Sequence, residues 1–146
     1  MLEKMKSLLQ KKDMCVLATT SGGKPHCSLM AYVTDEDCRE VYMVTHRTTK
    51  KYANVIENPS ISLLIDTRGE EDRSHAQALT VDGVFQRIEN EQEMGFAMAR
   101  LLKAHPHLGE FAEHPDADIL RIKITSFLLL DGLTDAHYEA VQHDTP

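Results

Sequence analysis

The chain has 146 residues, 42% of them hydrophobic, which fits one domain with a single core and excludes a disordered chain. Its 16 Lys and Arg against 23 Asp and Glu give a formal charge of −7, which argues against general nucleic-acid binding but not against a local anion site. No apolar run is long enough to span a membrane, and the charged N-terminus MLEKMKSLLQKKDM lacks a signal-peptide core, so we expect no membrane partner.

The hydrophobic pattern predicts six strands and a few helices. Residues 2–12 carry apolar side chains at helical spacing and predict an amphipathic helix. A second, short helix should begin at Thr48 or Thr49 and stop before Pro59, because a residue that precedes proline is pushed out of the helical region. Apolar runs bounded by turn residues predict six strands, at residues 16–20, 26–34, 41–45, 60–66, 78–88 and 119–132.

The later half of the chain adds a bulge and two helices. Asp82-Gly83 lies inside a long apolar run and predicts a bulge or kink in that strand. Residues 90–105 return to helical spacing and begin with a variant of the capping box, Asn90 and Glu93. A short polar helix is predicted at residues 135–142.

The connections decide the fold class. Sequential strands joined by short turns form antiparallel sheets, and six strands of this length tend to close into a barrel, which removes exposed edges. No linker, repeat or low-complexity tract divides the chain. We therefore predict a mainly β protein, a six-stranded antiparallel barrel with a few flanking helices, in a single domain over residues 1–146.

The stretch THRTTKKYANVIENP, residues 45–59, crowds Arg47, Lys50 and Lys51 around the start of the short helix. Each cation there costs roughly 0.3–1 kcal/mol, because the first N–H groups of a helix already carry partial positive charge. A bound anion would explain the pattern, since threonine hydroxyls and unpaired N–H groups can donate to its oxygens, and a dianionic phosphate is the obvious candidate. Alternatively, the cations are solvated and offset neighbouring acids, and the residue types alone leave both interpretations open.

A longer stretch, VYMVTHRTTKKYANVIENPSISLLID, resembles the core motif of the pyridoxamine 5′-phosphate oxidase-like family, the flavin-binding split β-barrels. That motif runs from a strand ending in Thr through a Ser or Thr-x-Lys turn to Asn-aliphatic, Asn-Pro and an apolar strand. The upstream LATTSGGKPHCSLMAYV is similar to the family's first hairpin. Order and spacing match over residues 14–88, so the resemblance implies a split β-barrel.

The resemblance also implies an obligate homodimer that binds FMN at each of two subunit interfaces. In the family, the hydroxyl and basic residues of the turn hold the FMN phosphate, and their counterparts are Thr49, Lys50 and Lys51. The other residues that the resemblance places at the flavin are Val44 and Thr45 at the end of a strand, Ser28, Leu29 and Met30 along the ring, and Gln77 from the partner subunit.

Two departures from the family bear on the reaction. The true oxidases carry an arginine where Ser28 lies and a lysine where Val33 lies, and they end in a segment with tryptophan and arginine, whereas this chain has no Trp. The resemblance thus implies a small FMN-dependent oxidoreductase with a small-molecule substrate or electron donor, and it assigns no catalytic residue. Alternatives on the same barrel are an F420-dependent reductase and a non-enzymatic haem-binding or flavin-sensing module.

Two further groups of side chains, histidines and cysteines, are not interpreted as ligand or catalytic sites. His105, His107 and His114 could suggest a metal or haem site, but their spacing fits no helical ligand pair and prolines interrupt the segment, which favours surface histidines. Three cysteines without a CxxC pair predict reduced thiols in a cytoplasmic protein, with Cys15 and Cys27 buried.

Overall fold

The computed structural model describes residues 1–70 and 72–143, and within them the chain forms one curled antiparallel sheet flanked by four α-helices. No helix in this part of the chain is both long and apolar enough to cross a bilayer. The helices are α1 (Leu2–Lys11), α2 (Lys50–Glu57), α3 (Glu91–Ala104) and α4 (Gly109–Glu113), with a 3₁₀ turn at Pro106–Leu108. The strands are β1 (Met14–Ser21), β2 (Lys24–Ala31), β3 (Val33–Thr34), β4 (Glu40–His46), β5 (Ser60–Asp66), β6 (Gln77–Phe85), β7 (Ala117–Asp131) and β8 (Asp135–Ala140).

The sheet is a half-barrel organised around β7. Its strand order is β2-β1-β5-β6-β7-β4-β3, with every pair antiparallel. β6 pairs along one edge of β7, while β4 and β8 pair with the first and second halves of the other edge. The predicted fold class, a mainly β antiparallel barrel with flanking helices, is confirmed.

The strand count differs from the prediction in two places. The predicted strand 26–34 is divided at Tyr32, whose N–H donates to Asp13 O at 3.0 Å at the end of the pairing with β1, whereas Val33 and Thr34 pair with β4 as β3. The predicted helix at 135–142 is wrong, because residues 135–140 form β8. A polar helix there would have no apolar face to bury, whereas the second half of β7 offers an unpaired edge that a strand can satisfy. The described chain therefore has eight strands rather than six.

Two packed clusters hold the fold. The larger one fills the concave side of the sheet, where α1 contributes Met5 and Leu9, both fully buried. The smaller one joins α3 to β4 and β7 through Val44, Leu101 and Ile119. Because α3 is fixed in this way, the segment that follows it is brought beside the end of β4, where α2 also begins.

The bulge predicted at Asp82-Gly83 is confirmed. The register between β6 and β7 shifts at this point. A Cβ on Gly83 would lie 2.6 Å from both Ile122 Cγ2 and Lys123 O, so only glycine allows the two strands to approach this closely.

At the start of α3, the Asn90 side chain caps the helix as predicted by accepting from the N–H groups of Gln92 and Glu93.

Candidate functional site

A threonine network builds the turn before α2. Thr49 is the N-cap of the helix: its Oγ1 accepts from Tyr52 N–H at 3.4 Å and donates to His46 O at 2.8 Å. Because the Thr49 proton is used in that bond, the 3.1 Å contact between the Thr45 and Thr49 hydroxyls has Thr45 as its donor. Lys50 and Lys51 are in the first turn of the helix, so their N–H groups have no intrahelical carbonyl acceptor and point out of the helix start. The turn is thus fixed internally and presents amide donors outward.

The three cations of the turn have different surroundings. Arg47 Nε lies 3.6 Å from Asp118 Oδ2, and Arg47 Nη1 donates to Pro115 O at 3.2 Å. The same Asp118 oxygen accepts from the Tyr52 hydroxyl at 2.9 Å, and burial together with this bond raises the pKa of Tyr52. Arg47 therefore compensates the buried Asp118 carboxylate, which leaves Lys50 and Lys51 as the cations available to an external anion. The first turn of α2 contains no acidic residue.

A cleft of about 210 Å³ opens beside this turn. Its floor comes from the ends of β2 and β4, and Lys51 stands at its rim from α2. The segment between α3 and β7 supplies the remaining wall. The lining residues are Leu29, Met30, Ala31, Val44, Thr45, Lys51, Leu108 and Phe111.

The structure brings part of the predicted cofactor set together at this cleft. Five of the nine residues line it, namely Leu29, Met30, Val44, Thr45 and Lys51. Thr49 lies behind Thr45, Lys50 is exposed beside Lys51, and Ser28 precedes Leu29 on β2.

Gln77 is the remaining predicted residue and is not among those that line the cleft. It begins β6, where its N–H donates to Thr67 Oγ1 at 2.9 Å and its backbone pairs with Asp131. Its proposed contact from a partner subunit stays a prediction.

Leu108 and Phe111 are cleft residues that the sequence did not indicate. The ring of Phe111 stacks on His46, with 3.9 Å between ring centroids, and His46 Nε2 donates to Phe111 O at 2.9 Å. His114 also stacks on His46, at 4.5 Å. These contacts fix the segment against the end of β4. The segment has no regular hydrophobic period, so only its aromatic and aliphatic residues among polar neighbours could have marked it.

The histidines and cysteines differ from expectation at two positions. The prediction of a surface histidine is wrong for His105, which is 3% exposed. Its buried ring is satisfied by a hydrogen bond from Nε2 to Tyr32 O at 2.9 Å. Cys27 was predicted to be buried but is exposed on the edge strand β2, whereas Cys15 is buried as predicted. Within residues 1–70 and 72–143, no three His, Cys, Asp or Glu side chains come together as metal ligands.

An apolar row crosses the convex face of the sheet next to the cleft. Strand pairing aligns one residue from each of six strands, and several are well exposed, including Leu29 at 72% and Tyr138 at 65%. Contiguous exposed apolar surface of this kind marks interaction sites. Leu29 belongs to both the row and the cleft. The members of this apolar row are Leu29, Val16, Leu64, Leu128 and Tyr138, with the polar Thr80 between Leu64 and Leu128.

The sheet and its helices form a split-barrel fold, and the start of α2 presents Lys51 at the rim of the cleft. A family model described as pyridoxamine 5′-phosphate oxidase matches residues 1–131, and the chain belongs to that family. No curated protein sequence matches the chain.

Solved structures similar to this chain carry different ligand descriptions. A haem-binding protein from Mycobacterium smegmatis aligns with a TM-score of 0.84 at 19% identity, covering 94% of this chain and 57% of that one. A FAD-binding protein from Mesorhizobium loti aligns with a TM-score of 0.74 at 16% identity, over 88% and 93% of the two chains. The haem storage protein HutZ from Vibrio cholerae aligns with a TM-score of 0.73 at 18% identity, over 89% and 93%. This chain spans just over half the length of the M. smegmatis protein, and identities this low establish the fold alone.

Proposed function

We propose that this protein binds FMN between two copies of the chain and acts as a small flavin-dependent oxidoreductase. The observation that carries the proposal is the start of α2. Lys51 stands at the rim of the cleft beside outward-pointing amide groups, and the first turn holds no acid that would compete with a phosphate. Membership of the pyridoxamine 5′-phosphate oxidase family supports a phosphate-bearing cofactor at this position.

The residues fit the two chemically distinct parts of FMN. The phosphate dianion would receive hydrogen bonds from the N–H groups of Lys50 and Lys51 and charge from the Lys51 ammonium. The flavin ring would lie against the apolar side chains of Met30, Val44 and Phe111, which exclude water from one side.

The size of the cleft supports a site shared by two subunits. A volume of about 210 Å³ is below the roughly 300–1,000 Å³ of sites that enclose a ligand. The exposed apolar row borders the cleft at Leu29, so a second copy packed on that row would supply the missing wall. Homodimerisation and cofactor binding are thus parts of the same proposal.

The chain contributes binding and positioning rather than proton transfer. Bound FMN would supply the redox chemistry, accepting or donating one or two electrons. Among the described residues that line the cleft, Lys51 is the one with a titratable side chain, and it would be engaged by the phosphate. The arginine and lysine of the true oxidases are replaced by Ser28 and Val33, so a substrate other than pyridoxamine phosphate is proposed.

The test is a cofactor titration of the purified protein. Its visible spectrum should show bound flavin, or flavin should bind on addition, with FMN preferred over riboflavin because only FMN carries the phosphate. A chemical or nicotinamide donor should then reduce the bound flavin. Protein that is colourless and ignores added FMN would overturn the proposal, and flavin that no donor reduces would favour a flavin-sensing module.

Haem binding is the second candidate, because two similar folds are described as haem proteins. The apolar row and cleft could accept a flat macrocycle, but the nearby histidines are engaged. His46 Nε2 donates to Phe111 O, and His114 Nδ1 accepts from Asp116 N–H at 3.0 Å. Parallel titrations with haem and with the deazaflavin F420 distinguish these alternatives from FMN. Haem retention that is lost on His107→Ala or His114→Ala replacement would favour the haem protein.

A further inference from the structure

A second cavity, of about 560 Å³, is separate from the cleft. It is formed by the end of α1, the junction of β2 and β3, and the C-terminal part of α3. Its volume is within the roughly 300–1,000 Å³ typical of small-molecule sites and exceeds that of the cofactor cleft. None of its lining residues contributes to that cleft.

The walls of this second cavity are fixed by internal hydrogen bonds. The Tyr32 hydroxyl donates to Leu9 O at 2.6 Å, and the His105 ring donates to Tyr32 O at 2.9 Å. Tyr32 and His105 are 1% and 3% exposed. These hydrogen bonds fix the positions of Leu9 and Tyr32 in the wall of the cavity.

The charge of the cavity is opposite to that of the protein. Arg100 and Lys103 face it from successive turns of α3, Lys12 faces it from the end of α1, and Asp13 is the single acid. Arg100 Nε donates to Thr34 O at 3.0 Å, which orients the rest of its guanidinium group. Lys12 contacts Glu70, but within the described residues neither Arg100 nor Lys103 forms an ion pair. Arg100 and Lys103 are both exposed at the cavity, and its lining carries three cations against one acid.

We infer that this cavity binds a small organic anion, with a carboxylate or phosphate group held by Arg100 and Lys103. An oriented guanidinium and a neighbouring ammonium suit such an oxyanion. Val33 and Ala104 add apolar lining and favour a ligand with an apolar body. This second site does not depend on the proposed cofactor function.

The test uses matched model ligands followed by NMR. Phenyl phosphate, benzoate and neutral benzyl alcohol are titrated into ¹⁵N-labelled protein, and the amide shifts of Val33, Thr34 and Lys103 are measured. Either anion or both should give saturable shifts at these amides, and the stronger of the two identifies the preferred head group. Benzyl alcohol should bind much more weakly, and equal binding of the alcohol would overturn the proposal.

Three variants make the assignment specific. Lys103→Gln should weaken anion binding at least about tenfold, because a charge-assisted contact is lost. Lys24→Gln removes the same charge from an exposed position outside the cavity and should leave the affinity unchanged. Lys51→Gln should also leave it unchanged, which separates this site from the cofactor cleft. Absent shifts, or equal affinities for unmodified and Lys103→Gln protein, would overturn the inference.

Discussion

The surroundings of the three cations in the turn before α2 determine which of them can bind an external anion. Arg47, Lys50 and Lys51 lie within five positions of one another, yet Arg47 is held by the buried Asp118 and Lys50 points to solvent. Only Lys51 combines partial burial with a place at the rim of the cleft. A phosphate at the helix start would therefore depend most strongly on Lys51.

Replacing Lys51 by Glu should abolish most FMN binding while the fold survives. The change exchanges a charge-assisted contact of about 1.5–3 kcal/mol for repulsion, so we expect at least a roughly 100-fold loss of FMN affinity by fluorescence titration. Riboflavin, which has no phosphate, should lose little affinity. Lys24→Glu, at an exposed position outside the cleft, should behave like the unmodified protein. An unchanged FMN affinity in Lys51→Glu protein would show that the phosphate is not held at this turn.

Cys15 gives a prediction about pH. It is 2% exposed, and burial raises the pKa of its thiol from 9.0 to about 12. At a pH between these two pKa values, the Cys15 thiol is deprotonated in the unfolded chain but stays protonated in the folded one. The free energy of unfolding therefore falls as the pH rises above about 9, by up to about 1.4 kcal/mol per pH unit. Urea unfolding between about pH 8 and 10.5 should show this decline, and Cys15→Ala should make it shallower. An identical slope in Cys15→Ala protein would contradict the assignment to Cys15.

At the scale of single elements, the bulge in β6 gives the sharpest stability test. Gly83→Ala would place a Cβ 2.6 Å from Ile122 Cγ2 and from the backbone oxygen of Lys123, so the strands must separate. We expect a loss of about 1–3 kcal/mol in the free energy of unfolding. Gly95→Ala is the matched control, because Gly95 is inside α3 with open space around it, and it should stabilise by about 0.5–1 kcal/mol. Equal effects of the two substitutions would contradict the close approach at Gly83.

The same elements show which features local sequence can predict. The cap at Asn90 and the bulge at Asp82-Gly83 were predictable because each is set by a few adjacent residues. β8 was not, because its polar residues form a strand only to satisfy the free edge of a strand that ends four positions earlier. The strand and turn residues of the cleft followed from the family motif, but Leu108 and Phe111 did not. Their placement depends on the packing of α3, which no local pattern encodes.

At the scale of the whole molecule, the apolar row and the cleft belong to one surface. The sheet buries the residues of its concave side, such as Leu63 and Leu129, and the row lies on the opposite, convex side. A monomer would leave this row in water beside a cleft too small to enclose a flavin. A homodimer packed through the row would remove both defects at once, so dimerisation and FMN binding should be lost together.

Leu128→Asp tests that linkage. Leu128 lies between Thr80 and Tyr138 in the row and is 37% exposed, so a carboxylate is tolerated in a monomer but would be buried without a partner at a subunit interface. Sedimentation velocity should show a dimer for the unmodified protein and a monomer for Leu128→Asp, with FMN affinity falling in parallel. Phe96→Asp is the matched control, since Phe96 is 70% exposed on α3, outside the row, and should leave both properties intact. A Leu128→Asp protein that remains dimeric, with circular dichroism confirming its fold, would place the interface elsewhere. A monomer that keeps full FMN affinity would show that one chain suffices for the cofactor.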